Sequence, residues 1–164
     1  QAAALSVLAE LLGGSGTTSE LARALQFDTQ KAVYSSAYYD GTAIDYATFG
    51  MVVMPAPGIS LQEAEDAMDK VLADFVAKGP DAEAFARIKT QVRASQIYAR
   101  DDVGGLAREY GAALTVGLTV DDVKTWPDAL QAVTAGDVVA AAKAVLDRKA
   151  SVTGWLMRDE EVAP

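Results

Sequence analysis

Two β-favouring runs, divided by Asp40-Gly41 and closed by Pro55 and Pro57-Gly58, constrain this chain most. They place a hairpin inside a polypeptide otherwise patterned for helices. Ala32 to Tyr39 is rich in Val, Tyr and Ser, and Tyr46 to Met54 forms the second run. An antiparallel hairpin with a slightly long loop is expected. Ser151 to Met157 predicts a closing strand. Three strands make a thin sheet, which needs helices to cover its apolar face.

The helical patterns supply that cover. Leu5, Leu8, Ala9 and Leu12 fall at helical spacing in a run ending at Gly13-Gly14, which predicts a buried first helix. Thr17 and Glu20 have capping-box spacing, so a short second helix is expected over 18 to 26. Ser60 and Glu63 repeat that spacing ahead of Leu61, Ala64, Met68, Val71, Leu72 and Phe75, an apolar face that should pack on the sheet up to Gly79-Pro80. A long helical pattern begins at Asp81 with Phe85, Ile88, Val92 and Ala99. It resumes with Val103, Leu106, Tyr110 and Leu114 and is interrupted or bent at Gly104-Gly105. Thr119 caps a short helix, Pro127 opens or kinks another, and Thr134 with Asp137 starts the last helix through Leu146. The expected fold is therefore α+β: a two-layer sandwich of an antiparallel sheet with helices packed on one face. No linker or repeat divides residues 1 to 164, so one domain is expected. Its abrupt helical start predicts that strands of the complete domain precede Gln1.

Composition excludes more than it selects. With 51% hydrophobic residues in 164, the chain can bury a core unaided. A net charge of -9 opposes binding to nucleic acid or to an anionic membrane face. No apolar run approaches the ~20 residues that span a bilayer. The absence of Cys leaves the compartment open, with periplasm and cytoplasm both compatible.

The chain contains neither His nor Cys. Ser-His-Asp triads, Cys-His dyads and His- or Cys-ligated zinc are all excluded within it. Carboxylate pairs at Asp101-Asp102, Asp121-Asp122 and Glu160-Glu161 leave room for a magnesium or calcium site, but none has the spacing of a known loop motif and solvated helix caps are the better reading. Gly13-Gly14-Ser15-Gly16-Thr17-Thr18 has the glycine content of a phosphate-cradling loop but lacks its preceding strand and its Lys. It reads as a helix-to-helix joint, whose free amides could still hold a substrate carboxylate or peptide backbone. Arg87, Lys89, Arg93, Arg100 and Arg108 alternate with acids and read as a solvated polar face. Tyr34, Tyr38, Tyr39 and Tyr46 gather on the hairpin, where cross-strand packing accounts for most of them and up to half could face a cleft.

In order along the chain, these segments resemble the insulinase/pitrilysin family of zinc peptidases. "AAALSVLAELLGGSGTTSELARAL" at Ala2 to Leu25 is similar to that family's Ala/Leu-rich helix, glycine turn and short helix. "KAVYSSAYYDG" at Lys31 to Gly41 is similar to its "GLAYSVSA" strand, and "LQAVTAGDVVAAAKAVL" at Leu130 to Leu146 to its last helix. The family's catalytic half carries H-x-x-E-H, which is absent here, so the chain resembles the inactive half, with the mitochondrial-processing-peptidase-like metallopeptidase fold. The resemblance implies a clamshell around an extended peptide substrate, with a homologous catalytic domain or subunit as partner and zinc held in that catalytic half. It also implies Tyr34 as a substrate-binding residue whose hydroxyl can reach a developing oxyanion. The family often has an Arg seven residues earlier, where this chain has Phe27. The same fold also resembles the core subunits of respiratory complexes, so a structural assembly role is the alternative. A small carboxylate-based hydrolase or ligand-binding module unrelated to the family is a third reading.

Overall fold

The computed structural model describes residues 1–157. At its centre is α1 (Ala2–Gly13), whose Val7, Leu8 and Leu12 are fully buried and whose Glu10 alone is exposed. A helix apolar on nearly all sides can only be a core helix. It lies against β1 and also meets α3, α5 and α6. Gly13 makes the first of these contacts possible, because a Cβ there would collide with the backbone of Ser36 and Ala37.

Strands β1 (Ala32–Tyr39) and β2 (Phe49–Pro55) form a two-stranded antiparallel sheet. Helices α1 and α2 (Leu61–Lys78) cover one of its faces, as the α+β sandwich requires. The capping box expected at Ser60 and Glu63 starts α2, and Gly79, at φ 76, follows its last residue. Beyond it come α3 (Ala82–Ala99), α4 (Val103–Thr115), α5 (Val120–Ala132) and α6 (Ala135–Val145). Thr119, the expected cap, opens α5 in a capping box with Asp122, and the box at Thr134/Asp137 opens α6 as its spacing predicts.

Several expectations are corrected. Ser151 to Met157 forms no strand; it runs as irregular chain beyond β2, with Val152 at 99% and Leu156 at 95% exposure. β-propensity without a ladder partner does not make a strand. Strand β2 begins at Phe49, not Tyr46, which lies 92% exposed in the connecting loop. The Thr17/Glu20 box does not form. The Ser15 hydroxyl instead accepts from the amides of Thr17 and Thr18, both at 3.3 Å, and the following segment winds as a π-helix over Ala22–Asp28. The long helix breaks at Asp101-Asp102 and not at the glycines. Asp102 caps α4 by accepting from the Gly105 amide at 2.9 Å, and a Cβ on Gly105 would lie 2.5 Å from that carboxylate. Pro127 does not open a helix but sits inside α5.

Candidate functional site

Register decides which hairpin side chains are available for function. Tyr34, Ser36 and Tyr38 pair with Met54, Val52 and Gly50, and the register shifts between Ala32 and Tyr34. That irregularity at Val33 inverts the alternation. Ala32 is buried, but beyond the shift it is Ser35 and Ala37 that point into the core. Tyr34 and Tyr38 are thereby turned to the face that no helix covers. They share it with Val52 and Met54; Tyr34 is 49% exposed and Met54 55%. Tyr39, by contrast, packs against the core, so the tyrosines divide between the two faces. The Tyr38 ring lies over Gly50, where a Cβ would collide with it.

The π-helical segment is tied to this strand by one bond. Gln26 Nε2 donates to the buried Ser35 hydroxyl at 2.9 Å. Their sequence neighbours Phe27 and Tyr34 are both exposed. The bond ties the segment that carries Phe27 to the strand that carries Tyr34, the two positions that the resemblance would give to Arg and Tyr.

The remaining sequence candidates have structural work. Asp102 caps α4 and lies 3.6 Å from Arg108, while Asp122 completes its capping box. Bonds from Thr119, first its hydroxyl and then its amide, hold the Asp122 carboxyl below the ordinary carboxylate range. Glu160-Glu161 lies outside the described residues. The glycine joint offers no free cradle at Thr17 and Thr18, since Ser15 already engages their amides.

Lys89 departs from the polar-face expectation. Its ammonium turns inward and donates to the carbonyls of Leu130 at 2.8 Å and Val133 at 2.9 Å, and also to that of Gln131. It thereby caps the C-terminus of α5, where a cation is favoured. Burial lowers its pKa from the ordinary lysine value. Nothing in its sequence neighbourhood separates Lys89 from the four arginines.

A cleft of about 740 Å³ lies between β2, α2 and the segment following α6. Two contacts hold that segment across α2. Arg148 Nη1 sits 2.9 Å from Asp69 Oδ2, and Trp155 Nε1 donates to Glu65 Oε2 at 2.8 Å. Burial pushes the Asp69 carboxyl up, against the pull of Arg148. The sequence carried no signal for this cleft.

A family model described as the peptidase M16 inactive domain matches residues 1–92. The chain belongs to the peptidase M16 inactive-domain family. The non-catalytic resemblance is thus borne out, and the hairpin described above falls within the matched residues. No curated protein matches in sequence. Among solved structures, this M16 inactive domain is similar to the inactive peptidase domain of a candidate zinc protease from Bordetella parapertussis. The TM-score is 0.86 at 18% identity, over 99% of this chain and 84% of that one. It is similar to a candidate zinc protease from Bordetella pertussis Tohama I at TM-score 0.77 and 19% identity, over 90% of this chain and 79% of that one. A protease from Helicobacter pylori gives TM-score 0.81 at 17% identity over 89% of this chain, which spans only 35% of that protease. At these identities the likeness is one of fold.

Proposed function

We propose that this M16 inactive domain is the non-catalytic half of a zinc peptidase. In this reading it helps to enclose and position a peptide for a homologous catalytic domain or subunit that holds the zinc. The uncovered hairpin face carries the proposal. Tyr34, Tyr38, Val52 and Met54 stand exposed together on a strand pair whose other face is core. Aromatic and apolar side chains left open in this way suit an extended peptide or a partner surface.

Zinc does not fit this chain's own donor set. The sequence has no His or Cys, and among the described residues no group of three acids could hold a metal. What the chain can contribute is position. Aligning a bound peptide removes entropy from the barrier, and one well-placed donor to a developing oxyanion contributes further. Tyr34 is the proposed donor, through its phenolic hydroxyl. Phe27 contributes an apolar surface beside it and no charge.

The test is made in the complete peptidase. Tyr34→Phe should lower kcat on the order of 100-fold with KM nearly unchanged, the signature of a lost oxyanion donor. An unchanged kcat would remove Tyr34 from the reaction. Absence of any catalytic half in the protein or its complex would favour the structural assembly role instead.

A further inference from the structure

Three departures from regular backbone crowd the chain just ahead of Tyr34. Ala22–Asp28 winds as a π-helix, closed where the amide and the hydroxyl of Thr29 donate to the Ala24 carbonyl at 3.1 and 2.7 Å. Gln30 stands at φ 52, the one residue other than glycine in the left-handed region among those described. Val33 then shifts the register of β1 against β2. π turns, left-handed residues and strand bulges all cost free energy, and they gather where a side chain must be aimed. One polar bond joins the first departure to the strand beyond the last. Ser35 is 2% exposed and, among the described residues, its hydroxyl is bonded only to Gln26 of the π-helix, at 2.9 Å. The other buried serine, Ser19, is satisfied within its own turn by the Ser15 carbonyl.

We propose that Gln26 is a positioning residue: by holding the Ser35 hydroxyl on the covered face of the hairpin, it keeps Tyr34 on the open one. The inference rests on the role given above to Tyr34. Neighbouring strand residues point to opposite faces, so the side taken by Ser35 decides the side taken by Tyr34. Burial of apolar surface does not by itself favour that choice, since a slip of one residue at Val33 would exchange Ser35 for the larger ring of Tyr34 against the core. A hydroxyl beneath the helical layer is tolerated only with a partner, and Gln26 supplies it. The π turn closes one residue later than an α turn, and that extra residue sets where along β1 the carboxamide arrives. Gln26 is half-buried and reaches β1 from the covered side, so it acts on the reaction through Tyr34 and not on the substrate.

Steady-state kinetics of the complete peptidase, with each rate taken per folded enzyme, test this. Gln26→Leu should lower kcat on the order of 10-fold with KM nearly unchanged, because the oxyanion donor is misplaced and not removed. Gln26→Glu, whose carboxylate can accept from the same hydroxyl, should restore most of kcat. In a Tyr34→Phe background Gln26→Leu should lower kcat no further, since the two residues act as one unit. Should Gln26→Leu fail to fold, Ser35→Ala breaks the same bond and leaves a half-buried amide free to reach water, and the same results are expected of it. Equal losses in both backgrounds would give Gln26 a structural role only and overturn the proposal. So would an unchanged kcat for Gln26→Leu where Tyr34→Phe lowers it, a result that leaves the reading of Tyr34 intact. An unchanged kcat for Tyr34→Phe itself would remove that reading and this one together.

Discussion

The two faces of the β1–β2 hairpin come from alternate residues of the same strands, yet the chain treats them in opposite ways. On the covered face Ser35, Ala37, Met51 and Val53 meet α1 and α2, and Gly13 admits the β1 backbone to within contact of a helix. On the uncovered face Tyr34, Tyr38, Val52 and Met54 stay about half exposed. Apolar and aromatic side chains left half in solvent point to a use outside the chain. The difference teaches where stability and function separate, and each variant below probes one side of it.

The largest effect is expected in α1. Leu8→Ala or Leu12→Ala removes a fully buried side chain and should cost about 3–5 kcal/mol by chemical denaturation, whereas Val52→Ala should stay within about 1 kcal/mol. Comparable losses at both positions would abolish the distinction between faces. Next is the helix–strand contact: Gly13→Ala should cost about 1–3 kcal/mol, while Gly16→Ala, which meets nothing within 4 Å, should be neutral or slightly stabilising. Lys89→Met should cost a similar ~1–3 kcal/mol, because the carbonyls ending α5 lose their donor.

Acid should act on the caps and leave the uncovered face unchanged. Asp122 and Asp137 are held below the ordinary carboxylate range first by the hydroxyls and then by the amides of Thr119 and Thr134. For Glu63 the Ser60 amide leads and the hydroxyl follows. A carboxyl depressed by folding adds stability that is complete above its unfolded pKa and is lost as pH falls through the folded one. Stability should therefore fall below the ordinary carboxylate range, and Asp137→Asn should flatten that fall in a pH-resolved melt. Asp69, raised by burial, has the opposite sign, its protonation easing a desolvated charge. The smallest stability change is expected for Tyr34→Phe, within about 0.5 kcal/mol, because its hydroxyl lies on the open face.

Local chemistry was legible where one short signal decides the outcome. Ser60, Thr119 and Thr134 opened their helices because hydroxyl, amide and carboxylate three residues apart satisfy one another without tertiary help. The family was legible from the order of segments. What sequence could not supply was whatever depends on a distant partner. Ser151 to Met157 has strand propensity but nothing in the described chain to pair with. Lys89 is chosen from a row of cations only because the end of α5 arrives beside it. The register shift at Val33, which turns Tyr34 outward, leaves no mark in the residue pattern.

The central claim, that the open side of the hairpin faces the peptide being cleaved, is tested most directly by photo-crosslinking in the working peptidase. A benzophenone side chain placed at position 34 should capture bound substrate, and the same group at position 39, which packs on the core, should capture none. Equal capture at both positions, or none at 34 while cleavage proceeds, would contradict the account.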